Sequence, residues 1–235
     1  MKLKSKISII TNFLIVIIIV VVSLVCFMPA RVVPIYGGKE IDAIYNGNRN
    51  EKKVSLMFNV YENTDIVNSI IDLLDEYNVK ATFFVGGCWA DDNGKTLNKM
   101  VSSGHEIANH GYFHKDHKKL SFEKNKEEIY LTEKIVEALC GVKTNLFAPP
   151  SGSFSSFTLQ VAYELGYKVI MWSKDTIDWR DSDKNLIVKR ATDNACNGDL
   201  ILMHPKEHTL LALSDILRYY INNGFKIVTV SENIV

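Results

Sequence analysis

The stretch Val54-Ser55-Leu56-Met57-Phe58 opens a regular alternation of strand and helix patterns that continues to the end of the chain. It is short and almost wholly apolar, as expected for a strand buried on both faces of a sheet. Apolar side chains at helical spacing follow it over residues 66–74. Six further strand-like runs alternate with helix-like segments in the same way, at 81–85, 106–108, 145–148, 168–172, 200–203 and 226–230.

Strands that alternate with helices pair in parallel through right-handed crossovers. Seven such units fit in fewer residues than the ~250 typical of an eight-unit barrel. The pattern therefore predicts an α/β fold, an irregular seven-stranded (β/α) barrel, with a doubly wound open sheet as the alternative. In both architectures the functional side chains lie just after the carboxyl ends of the strands.

The N-terminal segment, residues 1–30, is predicted to be a signal anchor formed by one transmembrane helix. Residues 7–30 are almost free of charge, and about 20 apolar residues suffice to cross the lipid bilayer. Lysines precede this run and Arg31 follows it, which favours a cytoplasmic amino end and a single-pass cell-membrane protein with its catalytic domain outside the cytoplasm. A cleaved signal peptide is the alternative. Residues 31–50 are predicted to be a linker, and 51–235 the folded domain.

The composition narrows the classes of partner. The chain has 27 basic and 27 acidic residues, so its formal net charge is zero, which argues against nucleic acid as a partner. Hydrophobic residues make up 47% of the sequence, which excludes a mainly disordered chain. We expect a monomer.

Two histidines follow the third predicted strand, His110 and His114. On a helical turn, residues at this spacing lie on one face, where both rings can bind one divalent cation. A solvated, histidine-rich loop is the alternative interpretation.

His204 follows the sixth predicted strand, so its ring is expected at the functional rim, where it can transfer protons near neutral pH. The pair Asp178-Trp179 offers a carboxylate partner for this ring and an aromatic wall. An ordinary hydrogen-bonded histidine, and a helix cap beside a core tryptophan, are the alternatives.

The order and spacing of five motifs over residues 40–235 resemble the polysaccharide deacetylase family with the NodB-type domain, carbohydrate esterase family 4. The likeness is greatest to its membrane-anchored, sporulation-associated branch. The motifs of the family and their counterparts are His-Ser/Thr-x-x-His at His110 to His114, Arg-Pro-Pro-x-Gly at Ala148-Pro149-Pro150-Ser151-Gly152, Asp-x-x-Asp-Trp at Asp175, Asp178 and Trp179, and Leu-x-Leu-His at Ile201 to His204.

This resemblance implies metal-assisted hydrolysis of N-acetyl groups on the amino sugars of a cell-wall glycan such as peptidoglycan. It implies a divalent metal ion, zinc, on His110 and His114, with an undefined third ligand. The glycan and, through residues 7–30, the lipid bilayer are the implied partners.

The resemblance also assigns roles around the metal. His204, oriented by Asp178, would protonate the departing sugar amine, and the backbone N–H of Ser151 would help to hold the oxyanion. The implied substrate-binding residues are Ser151, Pro150, Trp179 and Leu202.

The fifth motif, Thr-Phe-Asp-Asp-Gly in the family, corresponds to Met57-Phe58-Asn59-Val60-Tyr61. By resemblance, Asn59 replaces the general base and Val60 replaces the third metal ligand. Ala148 replaces the arginine that orients the base.

Glu62 could restore a carboxylate base or ligand, or simply cap the helix expected near residue 64. The sequence thus predicts a hydrolase of the polysaccharide deacetylase type, impaired by these replacements. A catalytically inactive glycan-binding or scaffolding domain on the same fold is the alternative.

Overall fold

The computed structural model describes the backbone of residues 2–27, 35–36 and 39–235, and the side chains of residues 11–23 and 41–235. The chain divides into two compact units, Met1–Val33 and Pro34–Val235. The side chains of residues 24–40, which include Arg31 and half of the predicted linker, lie outside the described residues.

The described residues of the first unit form helix α1 (Lys2–Phe27), where the sequence predicts a membrane anchor. Within the described part of the chain, no helix is both long and apolar enough to span a bilayer. The structure therefore does not support the predicted transmembrane helix.

The second unit alternates strands and helices along the chain. Its strands are β1 (Ile35–Tyr36), β2 (Lys39–Glu40), β3 (Lys53–Val60), β4 (Thr82–Val85), β5 (Glu106–Asn109), β6 (Leu146–Phe147), β7 (Lys168–Val169), β8 (Lys174–Asp175), β9 (Asp199–Met203) and β10 (Lys226–Ile227). Its helices are α2 (Thr64–Glu76), α3 (Gly87–Asp92), α4 (Gly94–Ser102), α5 (Phe122–Cys140), α6 (Ser156–Glu164), α7 (Lys184–Thr192), α8 (Glu207–Asn222) and α9 (Val230–Asn233).

Eight parallel strands form one sheet in the order β7-β6-β5-β4-β3-β9-β8, with β10 beside the start of β3. The central strand β3 pairs with β4 along its second half and with β9 along its first. In the described chain the terminal strands β7 and β8 do not pair with each other. The sheet is therefore a half-barrel, which confirms the predicted parallel α/β fold.

The predicted seven-stranded barrel needs two corrections. The polar pair Lys174–Asp175 forms an additional strand, β8. The free edge of β7 is covered by Ile44, whose N–H donates to the Val169 carbonyl at 2.8 Å and whose carbonyl accepts from the Met171 N–H at 2.7 Å. Because residue 44 occupies this edge, the barrel does not close there.

The second half of the predicted linker is likewise part of the fold. Ile41 and Ala43 are buried against the barrel, and the Gly47 N–H donates to the Gly198 carbonyl. The folded unit therefore begins before residue 51.

The two faces of β3 decide where its last side chains lie. Alternate side chains of a strand point to opposite faces, and Leu56, Phe58 and Val60 accordingly pack into the apolar cluster beneath the helices. Met57 instead packs into the cluster inside the half-barrel. Asn59 shares the inner face with Met57, so it points into the hollow at the carboxyl ends of the strands.

Two helix boundaries follow directly from local sequence. Ser121 caps α5 by accepting a hydrogen bond from the Lys124 N–H, and Gly141 ends this helix with φ of 71°, a conformation that glycine adopts without strain. Ser155 and Thr158 form a reciprocal capping box at the start of α6,.

Candidate functional site

His110 emerges from β5 into the hollow and is fully buried. Its Nδ1 lies 2.7 Å from the carbonyl oxygen of Ala148. Because a carbonyl can only accept, Nδ1 carries the proton and Nε2 presents a lone pair. Nε2 has no hydrogen-bond partner in the described structure. Burial lowers the pKa of His110 well below its usual value, so the ring is neutral,.

His114 lies beside it, with the ring centroids 5.2 Å apart. The predicted helical turn is wrong, because residues 110–116 form a loop in which Gly111 and His114 have φ of 75° and 54°. These two left-handed residues bend the chain back and bring the rings together. Burial also lowers the pKa of His114.

The ring of Tyr61 lies beside three histidine rings of the site. Its ring centroid lies 4.2 Å from that of His114, 6.2 Å from that of His110 and 6.4 Å from that of His204. Burial, followed by the nearby Glu62 carboxylate, raises the pKa of the Tyr61 phenol. A tyrosine at the end of β3 thus covers one side of the histidine pair.

The residues that replace the charged residues of the family, Asn59, Val60 and Ala148, are all uncharged. Asn59 is 3% exposed, and its Oδ1 has no hydrogen-bond partner among the described residues. Val60 is fully buried in the apolar cluster beneath the helices. Ala148 is also fully buried. The methyl group of Ala148 carries no charge. The uncharged amide of Asn59 does not need a charged side chain to orient it.

Glu62 does not reach the histidine pair as a ligand in this arrangement. Its carboxylate forms an ion pair with the Nζ of Lys206, at the start of α8. Two alternatives are predicted for Glu62, a rebuilt base or ligand and a helix cap. The structure instead shows its carboxylate in an ion pair with Lys206.

His204 belongs to a buried polar cluster centred on Asp178. Asp178 is 1% exposed, and its Oδ1 accepts from His204 Nδ1 at 2.8 Å. Its Oδ2 accepts from the His204 N–H and from the Thr209 hydroxyl, each at 2.7 Å. These bonds fix the proton on Nδ1 and turn the other ring nitrogen toward the hollow.

The loop that carries Asp178 is strained and firmly anchored. Ile177 has φ of 55°, which is a genuine outlier for a β-branched residue. Its N–H donates to the Asp175 Oδ1 at 2.8 Å, and the Arg190 guanidinium binds both the Thr176 carbonyl and the Asp181 carboxylate. Strain held in this way is typical of functional sites.

These side chains line one cavity of about 250 Å³. The predicted residues in its wall are Asn59, His110, His114, Ser151, Trp179, Leu202 and His204. Three further wall residues are not among the predicted site residues, namely Tyr61, Trp172 and Asp175. Of these, Asp175 belongs to a matched motif and Trp172 ends a predicted strand, whereas Tyr61 belongs only to the altered first motif.

Three predicted residues lie outside the wall of the cavity, namely Glu62, described above, Asp178 and Pro150. Asp178 stands behind His204, and Pro150 is buried at the start of a 3₁₀ turn, Pro150–Gly152. Within that turn Ser151 has φ of 55°, so its backbone departs from helical geometry at the edge of the hollow.

The histidine pair by itself is an incomplete metal site. Catalytic zinc sites use three protein ligands, and His110 with His114 offers two imidazoles. The residue that corresponds by resemblance to the third ligand is the aliphatic Val60, whose side chain lies in the cluster beneath the helices. Among the described residues no three His, Cys, Asp or Glu side chains are grouped to hold a metal ion. The residues present therefore do not complete the metal site that the sequence resemblance implies.

Fold and site together define a parallel half-barrel with a His–Asp acid pair and two further histidines around one hollow. The sequence profile of the family described as polysaccharide deacetylase matches residues 46–170. The chain therefore belongs to the polysaccharide deacetylase family. This family comprises hydrolases of carbon–nitrogen bonds, and its deacetylases are metal-dependent in general. The predicted family and hydrolase type are confirmed.

Two relatives from Bacillus subtilis show the range of the family. The uncharacterized protein YlxY is 35% identical over 191 residues, which are 81% of this chain and 60% of that protein. The peptidoglycan-N-acetylmuramic acid deacetylase PdaC is 32% identical over 184 residues, which are 78% of this chain and 39% of that protein. The chain thus spans less than two thirds of the length of either relative.

Among solved structures, a carbohydrate esterase family 4 pseudoenzyme from Bacillus anthracis superposes with a TM-score of 0.80 and 32% identity, covering 83% of this chain and 70% of that one. A mutant of it, described as having restored enzymatic activity, gives a TM-score of 0.80 with 30% identity, covering 83% of this chain and 72% of the mutant. The NodB-like fold is confirmed. One solved neighbour of this fold is thus described as a pseudoenzyme.

Proposed function

We propose that this domain binds an amino-sugar glycan of the bacterial cell wall in the cavity at the strand ends and deacetylates it at a strongly reduced rate. The observation that carries the proposal is the His204–Asp178 pair, which faces the same cavity as His110. The relatives named as peptidoglycan deacetylases support the glycan as substrate class.

The acid half of an amide hydrolysis is present. Asp178 holds the His204 ring in one orientation through Nδ1, so Nε2 is free to deliver a proton to a departing sugar amine. Ser151 lies in the wall of the cavity, where its N–H would bind the oxyanion of the tetrahedral intermediate. Trp179 and Leu202 would border the sugar and its acyl group.

The base half is absent, which explains the reduced rate. Asn59 stands where the family resemblance places the general base, and an amide does not take a proton from water near neutral pH. Removing such a base costs about 10²–10⁴-fold in rate. Zinc remains a prediction from the sequence, because two imidazoles without a third ligand make an incomplete site,.

A second candidate is a glycan-binding domain with no turnover at all. It is favoured by the side chains that replace charged residues of the family, Asn59, Val60 and Ala148, and by the likeness to a pseudoenzyme. In this case the cavity recognises the glycan and the acid pair has a purely structural role.

One experiment separates the two candidates. The full-length chain, purified in detergent, is incubated with peptidoglycan and with N-acetylglucosamine oligomers, and both acetate release and glycan binding are measured. We expect slow acetate release that the variant His204→Ala abolishes. Binding without release would support the second candidate, and neither binding nor release would contradict both.

We also propose that the domain acts outside the cytoplasmic membrane. The N-terminal lysines and the apolar run that follows them are typical of segments that direct export, and peptidoglycan lies outside that membrane. The association with sporulation belongs to the same proposal and comes from the sequence resemblance. Protease treatment of intact cells, followed by detection of the domain, tests its location.

A further inference from the structure

The cavity at the strand ends is rich in hydrogen-bond acceptors that have no donor. Asn59 Oδ1 and His110 Nε2 are both buried and unpartnered in the described structure. Since His110 Nδ1 donates to a carbonyl, its Nε2 can only accept while the ring is neutral. Buried acceptors without partners are costly, so this cavity is suited to a ligand that brings donors.

The same cavity has an anionic wall. Among the described residues that line it, Asp175 is the one carboxylate, and neither lysine nor arginine takes part. The nearest cations along the chain are paired with carboxylates outside the wall, Lys206 with Glu62 and Arg180 with Asp181. The Arg180 guanidinium also lies 5.8 Å from the centroid of the Trp179 ring. A donor-bearing ligand with a positive charge therefore fits the wall better than a neutral one.

Three aromatic rings complete this wall, those of Tyr61, Trp172 and Trp179. Aromatic faces attract ammonium groups, most strongly where water is excluded. Tyr61 stands where the family resemblance has glycine, and its ring covers His114 at 4.2 Å. The replacement that blocks one side of the metal position thus also adds a ring suited to a cation.

A divalent metal is the other cation that such acceptors could bind. Only two of the three usual protein ligands are present, and the third position is an aliphatic side chain,. An ammonium group needs no fixed coordination number. It has three N–H donors, and the cavity offers three acceptor side chains, those of Asn59, His110 and Asp175,.

We propose that the cavity preferentially binds a de-N-acetylated amino sugar, that is, a glycan whose C2 substituent is an ammonium group instead of an acetamide. This inference rests on the proposed function, because it takes the glycan as the ligand class and specifies its chemical form. The domain would then recognise the product of deacetylation. Trp179 is 53% exposed at the rim, and the face of its ring opposite the Arg180 guanidinium can stack with a neighbouring sugar ring.

Three β-1,4-linked tetramers test the inference, because they differ only at C2. They are the tetramers of glucosamine, N-acetylglucosamine and glucose, which carry ammonium, acetamide and hydroxyl groups. Dissociation constants are measured by calorimetry with the full-length chain in detergent and chelator, at a slightly acidic pH where the sugar amine is protonated. We expect the glucosamine tetramer to bind at least about tenfold more tightly than the other two.

Variants separate the charge from the stacking surface. Asp175→Asn keeps the Oδ1 that accepts from the Ile177 N–H and removes the charge, so it should weaken glucosamine binding about tenfold and leave the other tetramers unchanged. Trp179→Ala should weaken all three alike. Asp72→Asn is the matched control, since that carboxylate is exposed on α2 and does not line the cavity.

These measurements distinguish a failure of this inference from a failure of the proposed function. Equal or tighter binding of the N-acetylglucosamine tetramer would overturn this inference and leave the glycan-binding proposal standing. No binding of any tetramer would overturn both. Stoichiometric zinc uptake that displaces the glucosamine tetramer would also overturn the inference, because the acceptors would then serve a metal ion.

Discussion

The ring of Tyr61 lies 4.2 Å from the ring of His114, between centroids, and tilts 42° to it. This contact places an aromatic side chain against one of the two imidazoles on which a metal ion of this family would depend. The altered first motif therefore does more than delete a base and a ligand. It also fills space beside the ligands that remain.

Restoring the motif should restore the chemistry. The variant Asn59→Asp, Val60→Asp, Tyr61→Gly and Ala148→Arg supplies the base, the third ligand, the open space and the orienting arginine that the family resemblance describes. We expect it to bind about one zinc ion per chain and to release acetate at least about 10²-fold faster than the wild type. Metal analysis after dialysis and an acetate assay on N-acetylglucosamine oligomers measure both effects.

The control is the same variant carrying His110→Ala, which should lose both the metal and the activity. Position 60 lies in the apolar cluster beneath the helices, so the restored variant without zinc should be less stable than the wild type, because a buried carboxylate is then unpaired. A restored variant that fails to bind zinc although it folds would show that the half-barrel no longer provides the site.

The sequence predicts the central strands well, because their signal is strong. Apolar runs at 54–58 and 200–203 correspond to β3 and β9, which are buried along nearly their whole length. The polar pair Lys174–Asp175 gives no such signal, although it forms β8. The run at 226–230 is cut short because Thr229 caps α9 through Glu232.

In the site, too, some features can be predicted from the sequence and others cannot. Motif spacing alone predicts His110, His114, Asp178 and His204 as site residues, since each follows a strand and all carboxyl ends meet at one rim. The position of the Tyr61 ring depends on packing between loops that are far apart in sequence. The ion pair of Glu62 likewise depends on a partner 144 residues away, which no local pattern predicts.

Asp178 should be important for stability as well as for orientation. It accepts hydrogen bonds from His204 Nδ1, the His204 N–H and the Thr209 hydroxyl. In Asp178→Asn, the amide NH₂ would face one of these donors, and we expect a loss of about 2–4 kcal/mol in the free energy of unfolding. Urea denaturation measures it. Thr209→Ser keeps the hydroxyl and should cost much less, so equal stability of the two variants would contradict this account.

Gly111 stands where the family motif has serine or threonine, and its backbone is left-handed. Its φ is 75°, and a Cβ there would lie 3.0 Å from His117 Nε2. We expect Gly111→Ser to lower the free energy of unfolding by about 2–3 kcal/mol, from left-handed strain together with this close contact. Gly166 is the matched control, because its φ is 79° and a Cβ there meets nothing within 4 Å. If Gly166→Ser costs as much, the contact with His117 has no effect.

His105 should make the fold sensitive to mild acid. The ring is 6% exposed, its Nδ1 accepts from the Ala81 N–H at 3.2 Å, and burial lowers its pKa from 6.5 to about 4. The unfolded chain therefore binds this proton at a higher pH than the folded chain does. The resulting stability is fully present above pH 6.5 and is lost as the pH falls toward about 4, at a cost of roughly 3 kcal/mol.

The variant His105→Asn removes the titrating ring while its Oδ1 can still accept from Ala81. Urea midpoints at pH 7 and pH 5 should therefore differ less in the variant than in the wild type. Burial also lowers the pKa values of His110 and His117, so part of the acid sensitivity should remain. Identical pH dependence in the two proteins would show that His105 keeps an ordinary pKa, which its buried position against the ring of Phe83 argues against,.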